Sequence, residues 1–261
     1  MTEPRPDRGP FDLSGQVAVV TGGNSGIGLA MADALAAAGA GICIWGTNET
    51  RNAEAAEALS KHGTEILAVR CDVGDEEQVE RSMDRTAEHF GRIDSCFANA
   101  GVIGTAVPFL DTSLDEFRRV TRVDLDGAFL TLRAAARHMV AQGQGGSLVG
   151  TASLAAVQGQ PRGQAYAASK AGLVAMMKSI AVELGKHGIR ANSVLPGWTS
   201  TPLADPVLNS EPFQRRVLPR VPVGRWGVPE DFGAVAVYLA SPASAYHTAD
   251  SLLLDGGYVN F

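Results

Sequence analysis

A chain of 261 residues, 45% of them hydrophobic, can bury a substantial core without disulfides or metals. Its formal net charge of −6, with lysine only at positions 61, 170, 178 and 186, excludes a phosphate-backbone binder, which needs clustered basic side chains, so no nucleic-acid partner is expected. No apolar run reaches the length of a membrane span, and residues 1–10, with Pro4, Pro6 and Pro10 among mixed charges, lack the apolar centre of a signal peptide. A mobile arm is expected over residues 1–11 and one domain over 12–261, in the cytoplasm, with no membrane partner.

Short β-branched runs alternate with longer segments of helical period, the pattern of βαβ units around a parallel sheet. The first strand spans 16–21. It leads through Thr21-Gly22-Gly23-Asn24-Ser25-Gly26-Ile27-Gly28 into a helix over 27–38 that Gly39 stops. Glycines at 22, 26 and 28 let the backbone turn tightly and approach a pyrophosphate held on the helix N-terminus. The spacing departs from G-x-G-x-x-G, because Asn24 and Ile27 stand where that form needs glycine, and such a turn alone also suits a methyltransferase or a flavoprotein.

The second strand, 41–46, ends at Gly46, about 20 positions beyond Gly26, where NAD enzymes of doubly wound folds place an acid for the adenosine ribose. With no carboxylate there, nothing repels a 2′-phosphate, and Ser25, Thr47, Asn48 and Arg51 can donate to one. NADP is therefore expected ahead of NAD, with Glu49 the residue able to substitute for the missing acid. A helix over 54–61 ends near Gly63, the third strand spans 65–71, and a helix over 76–90 ends at Gly91. The fourth strand, 93–98, runs into Asn99-Ala100-Gly101. One long helix is expected over 114–140, carrying Val123-Asp124-Leu125-Asp126.

The fifth strand, 146–151, leads to Ser153, whose hydroxyl either donates to a substrate oxygen as charge develops or caps the loop. No Gly-x-Ser-x-Gly elbow surrounds it, which argues against a serine hydrolase. The next helix, 165–186, carries Tyr166 and Lys170 four residues apart and so on one face. A neighbouring ammonium favours phenolate over phenol and readies tyrosine for proton exchange. Four tyrosines and four lysines placed at random would give about 0.06 such spacings in a chain of this length. The sixth strand, 189–195, opens onto Pro196-Gly197-Trp198-Thr199-Ser200-Thr201 and an apolar, proline-bearing segment, followed by a helix over 229–240 and a seventh strand over 251–255. Cys43, Cys71 and Cys96 fall in strand-like runs without metal-ligand spacing and read as small buried hydrophobes of a reducing compartment. The five histidines read as surface residues, and no metal site is expected.

These motifs, T-G-x-x-x-G-x-G, Asn99-Ala100-Gly101 and Tyr166-x-x-x-Lys170, stand in the order of the short-chain dehydrogenase/reductase family, and Ser153 precedes Tyr166 by that family's 13 residues. From about Leu13 onward the chain resembles that family, in the branch with 3-oxoacyl carrier-protein reductases and sugar and secondary-alcohol dehydrogenases. The resemblance implies an α/β Rossmann-type fold, a doubly wound parallel seven-stranded sheet with helices on both faces. It implies hydride transfer between NADP or NAD and a carbonyl or secondary alcohol of a small molecule. In that scheme Tyr166 is the acid/base, Ser153 orients the oxygen, and Lys170 also bonds the nicotinamide ribose. Cofactor contacts are implied at Gly22, Asn24, Ser25, Gly26, Ile27 and Gly28, and at Thr47 and Asn48. Further contacts fall at Asp72 and Val73, with Asp72 at the adenine unless it serves as a turn cap. Asn99, Ala100 and Gly101 line the groove, joined by Pro196, Gly197 and Thr201, the last at the nicotinamide carboxamide.

Two positions depart from the family pattern. Ala98 replaces an asparagine whose amide would brace the fourth strand. Asp124 replaces the asparagine that is the fourth catalytic member. That residue acts on a water through its backbone carbonyl, which aspartate also has, so activity is expected to survive. Substrate choice is expected from residues 198–223. There Trp198, Leu203, Pro206, Val207, Leu208, Phe213 and Leu218, with Leu154 and Val157, would form an apolar pocket with a movable lid. Small residues at 165, 168, 172, 175 and 179, together with the family's pairing of helices, imply a homodimer or homotetramer. A cofactor-binding regulatory protein of the same fold, without turnover, is the alternative reading, and the intact Ser153, Tyr166 and Lys170 weigh against it. A methyltransferase would leave the Tyr/Lys pair unexplained.

Overall fold

In the computed structural model, which describes residues 9–261, the apolar runs form seven strands: β1 (Val17–Thr21), β2 (Gly41–Gly46), β3 (Ile66–Arg70), β4 (Ser95–Ala98), β5 (Gly146–Thr151), β6 (Ile189–Pro196) and β7 (Ser251–Leu254). They make one sheet in the order β3-β2-β1-β4-β5-β6-β7, every pair parallel. The chain order reverses between β1 and β4, which leaves a crevice at the carboxyl ends of those strands.

Both faces of the sheet are covered, which is why the strands read as apolar runs rather than as alternation. Along β1, Val19 points to one face and Ala18 and Val20 to the other. The Val19 face, with Cys43, Cys96 and Leu148, packs on α3 (Glu76–Phe90), α5 (Gly127–Gln142) and α6 (Gln164–Leu184) through Met83, Leu132, Leu173 and Met177. The opposite face, with Ile42, Ile44, Phe97 and Val149, packs on α1 (Gly26–Ala37), α2 (Glu49–Ser60) and α9 (Gly233–Ala240) through Met31, Leu35, Leu59 and Leu239. The three cysteines are buried and unpaired, and Ala98 is enclosed in the apolar core. Four of the histidines, at 62, 89, 138 and 247, each lie against a surface carboxylate.

The helix expected over 114–140 is present and holds a π-helical turn. It is α4 (Leu114–Thr121), a π-helical turn at Arg122–Asp126, and then α5. The wider turn swings Asp124 inward, and such bulges cluster at functional sites. The helix expected from 54 begins five residues earlier, because Asn48 caps it by accepting the N–H of Arg51 at 2.9 Å. Residues 229–232 form a 3₁₀ turn ahead of α9. The segment read as a loop holds two short helices, α7 (Asp205–Leu208) and α8 (Glu211–Val217). Residues 1–8 of the expected arm lie outside the described residues, while Pro10 accepts the N–H of Ala243 at 3.2 Å. No helix among the described residues is long and apolar enough to cross a membrane.

Candidate active site

The carboxyl ends of β1 and β4 are tied together by Thr21. Its Oγ1 accepts the N–H groups of Asn99 and Ala100, each at 3.0 Å, and the Asn99 amide donates to the Thr21 carbonyl at 3.0 Å. Gly22 crosses this junction at a φ of +64°, and Gly26 follows at +52°, conformations that favour glycine. A Cβ on Gly28 would stand 2.4 Å from both the Asn99 amide and the Gly22 carbonyl, so the turn and the first coil of α1 fit only without side chains. The side chains of Asn48, Asp75 and Ser113 cap α2, α3 and α4, whereas no side chain caps α1. Residues 26–28 line the cleft, so the N–H groups at the start of α1 are there without a side-chain acceptor, the condition for holding a phosphate. This glycine cradle fits a dinucleotide.

The end of β2 shows why Gly46 carries no acid. Asn24 donates to Asn52 Oδ1 at 2.7 Å, and Asn52 donates to the carbonyls of Gly46 and Val69 at 2.9 and 3.2 Å. A Cβ on Gly46 would lie 2.2 Å from Asn24 Nδ2 and 2.5 Å from Asn52 Oδ1. Glu49 is turned toward Arg70, 3.8 Å away, while Thr47, Asn48 and Arg51 line the cleft. Asp72 is a turn cap that also borders the cleft. Oδ1 accepts the Gly74 N–H at 2.9 Å as a turn cap, Oδ2 pairs with Arg122 at 3.0 Å, and the residue lines the cleft beside Val73.

At the other end of the same cleft, of about 730 Å³, stand Ser153, Tyr166 and Lys170. Ser153 follows β5 and its Oγ accepts the Ala155 N–H at 3.1 Å, which leaves the hydroxyl proton to donate into the cleft. Lys170 is buried, donates to the Thr151 carbonyl at 3.0 Å, and has its Nζ 5.5 Å from the Tyr166 ring centre. Asp124 is buried with Oδ2 3.4 Å from the same Nζ. Burial pushes its carboxyl above the ordinary range, against the pull of Lys170 and of the Val102 N–H. Asp126, two residues on, is exposed.

Pro196 and Gly197 line the cleft, and Thr201 packs its methyl 3.4 Å from where a Gly26 Cβ would be, bringing the turn after β6 against the glycine turn after β1. Of the residues expected around the substrate, Trp198, Leu203 and Leu154 line the cleft. Phe213 instead backs Trp198, Leu208 is buried, and Val157 and Val207 are exposed. The motifs do not single out Val102, Ile103, Arg119, Arg122 and Gln160, which also line the cleft, or Asn52, which braces it. No local spacing marks them; each reaches the site through tertiary placement.

Comparison with known proteins agrees with this geometry. The family described as enoyl-(acyl carrier protein) reductase matches residues 22–259. The chain is 39% identical over 250 residues to an L-rhamnose 1-dehydrogenase (NAD(P)(+)) of Sphingomonas sp. (strain SKA58), covering 95% of this chain and 98% of that one. It is 38% identical over 243 residues to a cis-4-hydroxycyclohexanecarboxylate dehydrogenase of Sinomonas cyclohexanicum, covering 93% and 96%. A crystal structure of a gluconate 5-dehydrogenase from Burkholderia cenocepacia J2315 in complex with NADP and tartrate superposes with a TM-score of 0.92 at 32% identity, covering 97% and 98%.

Proposed function

The chain belongs to the short-chain dehydrogenase/reductase family and is an NAD(P)-dependent oxidoreductase; on that premise we propose that Tyr166 is its acid/base, supported by Ser153 and Lys170. The observation that carries this is the meeting of these three side chains with the glycine cradle in one cleft. When bound, the nicotinamide cofactor accepts or supplies two electrons, so that a secondary alcohol and oxidised cofactor yield a ketone, reduced cofactor and one proton. In the oxidative direction the Tyr166 phenolate takes the hydroxyl proton, and in reduction its O–H returns it. Ser153 donates its free hydroxyl proton to the same oxygen, and the Lys170 ammonium stabilises negative charge on the phenol.

The N–H groups at the start of α1, with residues 22–28, would hold the pyrophosphate. Asp72 and Val73 would flank the adenine, Asn99 to Gly101 would floor the groove, and Pro196, Gly197 and Thr201 would meet the nicotinamide. NADP is the preferred cofactor in this reading. The Asn24–Asn52 bridge fills the place of a ribose-binding acid, Glu49 is turned to Arg70, and Thr47, Asn48 and Arg51 line the cleft beside it. A kcat/KM higher with NADP than with NAD is the expected result, and the reverse would overturn the preference.

The substrate reading is a small alcohol or ketone that presents an apolar face to Leu154, Trp198 and Leu203. L-rhamnose, cis-4-hydroxycyclohexanecarboxylate and gluconate make the first assay panel. With any substrate that turns over, Tyr166→Phe lowers kcat about 10²–10⁴-fold while cofactor affinity and Tm hold. A comparable rate in the variant would remove Tyr166 from the role. Assembly as a homodimer or homotetramer is supported by Phe109, Leu110, Leu114, Phe117 and Phe129, exposed on and beside α4 and α5, and by exposed Ala168, Ala175 and Ser179 along α6. A monomer by light scattering at micromolar concentration would refute it.

A further inference from the structure

Lys170 is held from two sides, and the proposed chemistry uses only one of them. Asp124, in the π-helical turn between α4 and α5, is fully buried and its two oxygens meet different donors. Oδ1 accepts the N–H of Val102 at 2.8 Å, at the start of the loop that follows β4. Oδ2 has no hydrogen-bond partner and lies 3.4 Å from Nζ of Lys170. Gly101 closes over this pair, since a Cβ there would stand 3.2 Å from Oδ2 and 3.3 Å from Nζ. Two donors, an amide N–H and an ammonium, thus converge on one side chain. A carboxylate accepts the amide N–H on one oxygen and pairs by charge with the ammonium on the other, whereas an asparagine brings no charge and must turn its NH₂ toward one of the donors. The expectation that aspartate serves here only through its backbone carbonyl leaves this arrangement without a reason.

The same carboxylate bears on Tyr166. Its Oδ2 is 3.4 Å from the Lys170 Nζ, and that Nζ is 5.5 Å from the Tyr166 ring centre, so the carboxylate lies under 9 Å from the ring centre. A negative charge there opposes the phenolate that the ammonium favours. Resting on the assignment of Tyr166 as acid/base, we propose that Asp124 is a positioning residue acting through its carboxylate. It fixes Lys170 between β5 and the loop at Val102, and its negative charge offsets the ammonium that acts on Tyr166. The charged groups that act on Asp124 are Lys170 from α6 and Arg119 from α4. Arg122 and Asp126 share its turn but are exposed, Arg122 being paired with Asp72.

The test is the pH dependence of kcat/KM for alcohol oxidation in the wild type, Asp124→Asn and Asp124→Glu. In Asp124→Asn the midpoint of the alkaline rise moves to lower pH by about one unit, the effect of removing a unit charge within about 10 Å at an effective dielectric constant near 20. Asp124→Glu keeps the charge, so its midpoint stays near the wild-type value even where the added methylene lowers kcat. Should Asp124→Asn not fold, the smaller Asp124→Ser removes the same charge and is read in the same way. An unchanged midpoint in the charge-free variant overturns the proposal, as does an equal shift in Asp124→Glu, which would make shape the cause. A second readout needs no cofactor: Tm of the free protein between pH 4 and 7. A buried carboxyl held above its ordinary range binds its proton more tightly folded than unfolded, so the Asp124 contribution to stability falls as pH rises above the ordinary value of 3.8. The charge-free variant lacks this loss, and its Tm relative to the wild type climbs with pH; a constant difference overturns the buried ionisation. Because the Tm readout is independent of turnover, it distinguishes failure of the Asp124 proposal from failure of the Tyr166 assignment.

Discussion

At the β1 end of the cleft, Gly22, Gly28 and Asn99 interlock through main-chain atoms and one amide, with 2.4 Å between an added Cβ on Gly28 and its neighbours. At the substrate end, contact is ring against ring. Trp198 meets Phe213 edge-on at 4.9 Å between centroids and Tyr258 at 6.3 Å, while Phe213 and Trp226 lie 6.1 Å apart. Backbone that closes on backbone admits one solution, so the cofactor end suits a ligand that does not change. A wall of packed side chains can be recut residue by residue without disturbing the sheet. The family's diversity of substrates on one cofactor fold follows from that division of materials.

Substituting one residue in each region would break or confirm the contrast. The largest effect is expected from Gly28→Ala. A single methyl meets a carbonyl oxygen that cannot move without opening the β1 turn. Stability should fall by about 1–3 kcal/mol, as for other overpacked sites, with cofactor affinity falling alongside it because the turn is the phosphate cradle. Thermal unfolding with and without cofactor checks both. Unchanged values would mean the turn is looser than its geometry states.

Phe213→Ala should act on the other end and on less. Phe213 backs Trp198 rather than lining the cleft, so its loss lets the Trp198 wall relax without touching the glycine cradle. An aromatic pair of this kind is worth about 0.5–1.5 kcal/mol, so kcat/KM for substrate should change by at most about tenfold while cofactor KM holds. A parallel loss in cofactor KM would show that the two ends are not separable.

The same division explains what could be read from the chain. Gly22, Gly26 and Gly28 were legible because a backbone need leaves glycine at fixed spacing, and Tyr166 and Lys170 because the helical period puts them on one face. The sheet was legible for a related reason, since strands buried on both faces must be apolar throughout. The Asp124–Lys170 pair was not. An apolar period running through 114–140 carries no mark of the π-helical turn that swings Asp124 inward. Nor was the Asn24–Asn52 bridge, whose members stand 28 positions apart and meet only when α2 begins at Glu49. In the segment after β6, Phe213 is as apolar as Leu203, and composition cannot say which faces the cleft and which supports it.

The smallest effect tests whether charge, as well as ring packing, holds the substrate end. Asp231 follows that segment and gathers it. Its two oxygens take the Arg225 guanidinium at 2.7 and 2.8 Å, and Oδ2 also accepts the Val228 N–H at 2.9 Å. The Arg225 hydrogen bonds, then the Val228 N–H, hold this carboxyl down at about 2. A depressed pKa contributes stability that is present above the ordinary value of 3.8 and is lost as pH falls through about 2. The side chain is 34% exposed, so solvent screens the pair and its worth is less than about 1 kcal/mol. Asp231→Asn should therefore lower Tm slightly at pH 6, and the gap should narrow toward pH 3 and in high salt. The gap produced by Gly28→Ala, where no charge is involved, should keep its size across the same conditions. A pH-independent deficit in Asp231→Asn would place the contribution in the hydrogen-bond geometry around Val228, and the substrate end would then resemble the cofactor end in relying on the main chain.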